Sequence, residues 1–258
     1  MFFSIEGISE QGSKTTQNQD ACFAGRTITA LGEAAFVCLC DGMGGTDAGE
    51  LASATIVEEF QKWFYSKCDL GGQWLPDAYS VHMEWNDLLV FCNRKIIEYS
   101  VNNQLNMGST VVIGLITASE TMVMNVGDSR LYEITDIMRR LNKDHSVVGE
   151  EIENGRLSEE EAKYDFRNNQ LTQCVGMLSE ISPFFANYPT VCGTYLFCTD
   201  GFYNRNTNAD IMGWLEAPTS GMDSLKTVVR ALLENARDKG EKDDISAVAV
   251  MVSEVEKC

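Results

Sequence analysis

The chain has 258 residues, of which 44% are hydrophobic, enough to bury the core of one large globular domain spanning residues 1–258. Its 38 Asp and Glu against 20 Lys and Arg leave a formal charge of -18, the wrong sign for holding a nucleic-acid backbone by counterion release, so no nucleic-acid partner is expected.

In chain order, the N-terminal Met1-Phe2-Phe3-Ser4-Ile5-Glu6 has neither a basic region nor a sustained apolar core, and nowhere do apolar residues run long enough to cross a bilayer. No membrane partner is expected. Short β-rich apolar runs at residues 35–40, 110–116, 121–126, 195–199 and 245–252 predict strands. Between the first two runs, Leu51, Ile56, Phe60 and Phe64, then Val81, Trp85, Leu88, Cys92, Ile96 and Tyr99, recur at helical spacing. They predict two amphipathic helices separated at Gly71-Gly72. Ser158 with Glu161 three residues on reads as a capping box opening a short acidic helix, and Leu225, Val229, Leu232 and Ala236 mark a helix after Asp223. Trp63, Phe64, Trp85 and Trp214 fit packing roles. Strands, a helix pair, then more strands and helices predict a layered α/β or α+β domain rather than a simple alternating sheet.

Nine cysteines are scattered, odd in number and without a CxxC pair, and Cys38, Cys40, Cys192 and Cys198 lie in apolar stretches. A reducing, cytoplasmic compartment is the expectation.

The chemistry gathers in the aspartates. Val37-Cys38-Leu39-Cys40 runs into Asp41-Gly42-Met43-Gly44-Gly45, an apolar strand ending in a carboxylate and a glycine-rich turn. Asp200-Gly201 follows a second apolar run, Gly127-Asp128 ends a third, and Asp243-Asp244 precedes a fourth. One Asp-Gly is an ordinary turn. Four carboxylates at strand termini, gathered at one sheet edge, would form an oxygen-only site suited to hard cations such as Mg or Mn rather than zinc.

Read in order, Gly12 to Asp20 with Asn18-Gln19-Asp20, the Asp41 segment, Gly108-Ser109-Thr110, Val126-Gly127-Asp128-Ser129-Arg130, Asp144-His145-Ser146, Asn169-Gln170-Leu171-Thr172, Cys198-Thr199-Asp200-Gly201 and Asp243-Asp244-Ile245-Ser246 resemble the successive motifs of PP2C-type (PPM family) metal-dependent protein serine/threonine phosphatases, most closely bacterial ones. The resemblance implies an α+β fold, a four-layer αββα sandwich of two antiparallel sheets flanked by helices. It implies hydrolysis of phosphoserine and phosphothreonine in proteins, among them a Ser/Thr kinase, at a dinuclear Mg2+ or Mn2+ centre. By the same resemblance Asp41 would bridge two ions, the Gly42 carbonyl would bind one, Asp200 and Asp243 would complete the pair, Asp20 would support it, and Asp128 would help hold a third. Asp41, Asp200 and Asp243 would act catalytically through the water they activate with the metals. Two cations about 4 Å apart lower the pKa of such a water and neutralise phosphoryl oxygens, which also answers how so acidic a chain handles phosphate.

The chain departs from the family pattern in three places. Met43 stands where eukaryotic relatives often carry a histidine and cannot give the leaving oxygen a proton, which leaves water at the metal centre as the source. His82 and His145 are read as structural or solvated. Thr15 stands where bacterial relatives place the phosphate-gripping arginine, with Lys14 beside it as a substitute point charge. Asp244 stands where Asn is commoner, adding negative charge that either tightens metal binding or shifts a neighbour's pKa. Residues 147–168 match the region that forms a flap over the site in relatives. The alternative is a PP2C-fold regulatory or binding protein with weak or no turnover. A cysteine phosphatase lacks its Cys-x5-Arg loop here, two histidines are too few for a His-rich dinuclear enzyme, no EF-hand series occurs, and the Asp41 turn has neither a Walker lysine nor GxGxxG spacing.

Overall fold

The computed structural model describes residues 1–44, 48–162, 164–215 and 222–254. Gly45 of the Asp41 turn and the side chains of Trp214 and Asp223 lie outside the described residues.

Three strands open the chain: β1 (Phe2–Glu10), β2 (Asp20–Thr29) and β3 (Gly32–Met43). The helix pair follows as α1 (Gly49–Cys68) and α2 (Ala78–Asn103), separated by a 3-10 turn at Gly71–Gln73. Next come β4 (Gly108–Ser109), β5 (Val111–Ile116), β6 (Glu120–Val126), β7 (Arg130–Ile134) and β8 (Met138–Arg140), then the short helices α3 (Val147–Glu153) and α4 (Glu159–Ala162). The chain finishes with β9 (Phe184–Pro189), β10 (Gly193–Cys198), α5 (Asp200–Tyr203), α6 (Asn208–Leu215), α7 (Met222–Asp238) and β11 (Ile245–Ser253).

The strands form two antiparallel sheets, β1-β11-β10-β7-β8 and β2-β3-β5-β6-β9, with β4 paired on β3. Alternation along β3 explains the layers. Phe36, Cys38 and Cys40 face the helices α1 and α2, whereas Ala35, Val37 and Leu39 face the other sheet, where Phe3, Tyr195, Phe197 and Val250 meet them. A strand covered on both faces reads as a continuous apolar run. On the far side, Leu196, Cys198, Ala247 and Ala249 pack under α7 through Leu225, Val229, Leu232 and Ala236. The result is the αββα sandwich that the family resemblance implies. No helix of the described residues is long and apolar enough to cross a membrane.

Two positions in the helix pattern are corrected. Leu51 is 41% and Tyr99 45% exposed, while Ala52 and Ser100 are buried in their place. Both lie in terminal turns, where the apolar stripe leaves the sheet it covers. Trp63, Phe64 and Trp85 form one aromatic cluster with Phe36. The capping box is present: Ser158 Oγ accepts from the Glu161 amide at 3.3 Å and Glu161 Oε2 accepts from the Ser158 amide at 2.9 Å. Strands β1, β2, β7, β8 and β9 carry no long apolar run. Four of them, β1, β2, β8 and β9, are sheet edges and β7 lies next to one, where polar residues interrupt the pattern.

Candidate metal centre

Sheet registry collects the aspartates at one pole of the sandwich. Asp20, the first residue of β2, pairs directly across from Asp41 on β3. Asp128 follows the end of β6, Asp200 follows β10, and Asp243 precedes β11. Antiparallel pairing of β10 with β11, Cys198 opposite Ala247, brings the last two together.

Close backbone approach fixes this pole. A Cβ on Gly42 would lie 2.3 Å from the Gly49 carbonyl oxygen and 2.5 Å from that of Gln19, so only glycine lets α1 start against the end of β3. A Cβ on Gly12 would meet the Lys242 carbonyl oxygen at 2.2 Å. Asp41 itself is fastened through its backbone: its amide donates to Thr110 Oγ1 at 3.1 Å and its carbonyl accepts from the Thr110 amide at 2.8 Å and Ser109 Oγ at 2.9 Å. Among the described residues nothing donates to its carboxylate, which is left for other work.

The electrostatics are those of like charges crowded together. Burial, then Asp20, Asp200, Asp128 and Asp243 in turn, push the Asp41 carboxyl well above the ordinary carboxylate range. Asp128 is pushed up to about 8 by burial first and then by Asp200. Asp200 rises to about 6, again from burial, then from Asp243. Asp20 is buried and rises to about 8 although Ser246 and Thr199 donate to it, the Thr199 Oγ1 bond being 3.0 Å long. Carboxylates that raise one another's pKa across an opening fit a cation. Among the described residues no three His, Cys, Asp or Glu side chains close around one point. The carboxylates instead approach from different strand ends, Asp128 and Asp200 lining a common cleft, an arrangement that suits hard cations that keep water ligands. Lys14 already stands in for such a cation: its ammonium lies 2.5 Å from Asp243 Oδ2, and the Asp243 carboxylate raises its pKa against the opposing effect of burial.

Asp244 is not part of this opening. Its Oδ1 accepts from the Gly12 amide at 2.6 Å and its Oδ2 from the Gln19 amide at 2.7 Å. Of the two roles read from sequence, metal tightening has no geometric support. Asp244 does raise the pKa of Asp20, but its main work is tying down the loop of residues 12–19. Thr15 Oγ1 turns back to the Gln17 carbonyl at 2.6 Å.

The histidines keep the structural roles expected of them. His145 brackets the turn that presents Asp128, its amide donating to the Gly127 carbonyl at 2.9 Å and its Nδ1 accepting from the Gly127 amide at 3.3 Å. Gly127 has a φ of 99°, which favours glycine at that turn. His82 lies against Trp85 and Phe185.

Sequence reasoning gave no role to Arg130, Asp144, Arg140 or Tyr203. Together with Asp128, Asp200 and Lys14 they line a cleft of about 920 Å3. Arg130 lies flat on the Tyr203 ring, 3.7 Å from guanidinium carbon to centroid, and Tyr203 Oη donates to the Asp128 carbonyl at 3.1 Å. The Gly127-Asp128-Ser129-Arg130 and Asp144-His145-Ser146 motifs named two of the four, Arg130 and Asp144; their pairing joins the start of β7 to the loop after β8, which spacing cannot reveal. Val148, Ile152, Glu159, Glu160, Ala162, Asn168 and Asn169 line another side of the cleft, and their segment is closed at the base where Ser146 bridges Leu171 and the Val147 amide donates to the Gln170 carbonyl at 2.9 Å.

The protein phosphatase 2C family model matches residues 6–176. Protein phosphatase PhpP of Streptococcus pneumoniae is 29% identical over 257 residues, covering 97% of this chain and 98% of its own. The solved serine/threonine phosphatase of S. agalactiae is 26% identical with a TM-score of 0.82, covering 98% of this chain and 100% of its own. The catalytic domain of the serine/threonine protein phosphatase PstP, solved in complex with two manganese ions, shares the fold with a TM-score of 0.79 at 22% identity, covering 98% of this chain and 99% of its own.

Proposed function

The chain belongs to the protein phosphatase 2C family and is a serine/threonine protein phosphatase; from that premise we propose that it hydrolyses phosphoserine and phosphothreonine in proteins, a Ser/Thr kinase among them, with a dinuclear Mn2+ or Mg2+ centre, as one catalytic unit.

In this reading Asp41, the Gly42 carbonyl, Asp200 and Asp243 hold the two ions, Asp20 supports them from below, and Asp128 serves a third. When bound, the ions supply a more acidic water and neutralise the phosphoryl oxygens. The protein's own contribution is positional. Paired strands β2 and β3 hold Asp20 and Asp41 in register, the Thr199 hydroxyl orients Asp20, and Asp244 fixes the 12–19 loop that carries Lys14. Lys14 is the proposed phosphate contact, a point charge moving between Asp243 and the substrate. The observation that carries the reading is the elevation of four carboxylates, Asp20, Asp41, Asp128 and Asp200, crowded at one pole of the sandwich, which a pair of divalent ions relieves.

The test is hydrolysis of a phosphothreonine peptide with manganese, with EDTA, and after Asp200→Asn. Turnover that needs manganese and vanishes in both controls is expected. A folded protein that binds manganese yet turns over no phosphopeptide points instead to the regulatory alternative.

A further inference from the structure

One wall of the cleft holds two guanidinium groups on a single carboxylate. Arg130 gives Asp144 three contacts, Nε at 3.2 and 3.1 Å from the two carboxylate oxygens and Nη2 at 2.6 Å from Oδ2, and its Nη1 donates to Tyr132 Oη at 3.1 Å. Arg140, from β8, gives Asp144 Oδ2 one N–H at 2.9 Å. Asp144 is buried, and the two arginine side chains keep about a quarter of their surface open to the cleft, 23% and 22%. One carboxylate balances one guanidinium. Arg130 is engaged at each of its three nitrogens, by Asp144 and Tyr132, and on its face by Tyr203, whereas Arg140 gives Asp144 a single N–H, so more of the surplus positive charge rests with Arg140 and the rest of its donor fork.

The position of this charge gives it a ligand. Asp128 and Arg130 are two residues apart, so their Cα atoms lie at most about 7 Å apart. Tyr203 ties the two ends of that stretch together, touching the Asp128 carbonyl with its hydroxyl and Arg130 with its ring. The guanidinium pair therefore borders the candidate metal centre within the same cleft.

We propose that Arg140, positioned by Asp144 and Arg130, forms an anion subsite for a second acidic group on the phosphopeptide, a carboxylate or another phosphate about two to four residues from the phosphorylated side chain at 3.3–3.6 Å per extended residue. The proposal rests on the phosphatase reading above and adds a sequence preference to it. A chain of charge -18 has reason to localise such a site, because its general field repels acidic peptides and a paired, partly enclosed cation in the cleft attracts them locally.

The experiment compares kcat/KM for three phosphothreonine peptides: one flanked by alanine, one with Asp or Glu placed two to four residues to either side, and one with a second phosphothreonine there. The wild-type protein is expected to favour the acidic peptides by about tenfold, mainly through KM, the order of one charge-assisted contact, and to lose that preference as salt rises. R140Q brings the ratio of acidic to alanine peptide close to one, and R140K keeps part of it because the charge remains without the fork. The carboxylate and second-phosphate arms separate the two sources of the anion. Equal preference in wild type and R140Q, or none in wild type, overturns the subsite while leaving the phosphatase reading intact. Equal gains for R140Q on all peptides also overturn it, assigning Arg140 to a contact across the cleft with Glu159 or Glu160, which line it. Absence of turnover on every peptide by wild type removes the phosphatase reading and this one with it.

Discussion

Single carboxylates in this protein are worth different amounts depending on what faces them. Among the described residues the Asp41 carboxylate faces other carboxylates, so Asp41→Asn removes a charge that burial and four neighbours oppose. In EDTA the variant is expected to melt a few degrees above wild type. With manganese, its stabilisation shrinks and turnover falls by on the order of a hundredfold or more. Thermal melts with and without metal read both, and a variant that melts lower in EDTA contradicts the crowding described here. Asp244 faces two backbone N–H donors, and Asp244→Asn turns one acceptor into a donor aimed at an N–H. An unsatisfied group of this kind costs about 1–3 kcal/mol. Faster amide exchange at Gly12 and Gln19 is the expected local sign; unchanged protection at both would show that the loop is held by something else.

At the level of elements, the sandwich depends on where strands lack side chains as much as on where they carry them. Gly114 sits in the middle of β5, and a Cβ there would meet the Phe197 ring of the opposite sheet at 2.5 Å. The ring fills the space the glycine leaves. Gly114→Val therefore overpacks the interface between the sheets, a class of change costing about 1–3 kcal/mol, or about 2–12 °C in melting temperature for a domain of this size. Pairing it with Phe197→Leu is expected to recover part of the loss, and additive losses in the double variant would rule out direct contact as the cause. The acidic segment of α3 and α4 is built differently. It draws on local devices, the Ser146 cap at the Gly149 amide and the Ser158–Glu161 box, with two buried residues in α3 and one in α4, so its stability is separable from that of the sheets.

Across the molecule, the crowded pole ties stability to pH and metal together. Asp20 and Asp128 hold protons to about pH 8 and Asp200 to about pH 6, whereas an unfolded aspartate releases its proton near 4. The folded state thus binds more protons than the unfolded one between these values, and stability falls as pH rises through that window. Asp165 and Asp210, lowered to about 2 by Arg167 and by Lys239, have the opposite sign but act only below about pH 4. Metal-free protein is expected to melt higher at pH 5 than at pH 8. Manganese at about a hundred times its Kd adds about 2.7 kcal/mol, which raises the pH 8 midpoint by about 5–10 °C. Calorimetry in EDTA and in manganese at the two pH values checks both signs, and a flat metal-free profile would mean that the carboxylates are not strained.

Much of this was written in the sequence. Five of the six central strands, the helix pair, the capping box and the aspartates at strand ends were legible because each is a local pattern: an apolar run, a helical spacing, a carboxylate before a glycine. The ordered motifs gave the family for the same reason. Edge strands such as β2, with its Arg26 and alternating exposure, were not legible, since a strand half open to water need not be apolar. Only the tertiary structure decided which carboxylates stand alone and which are used. Asp243 and Asp244 are neighbours in the chain, yet one opens on the candidate metal centre and the other spends both oxygens on a loop more than two hundred residues away. Arg130, Asp144 and Arg140 became a group only when β7 and β8 paired. A local pattern fixes what a residue can do, and the partners that decide what it does come from distant segments that folding alone brings together.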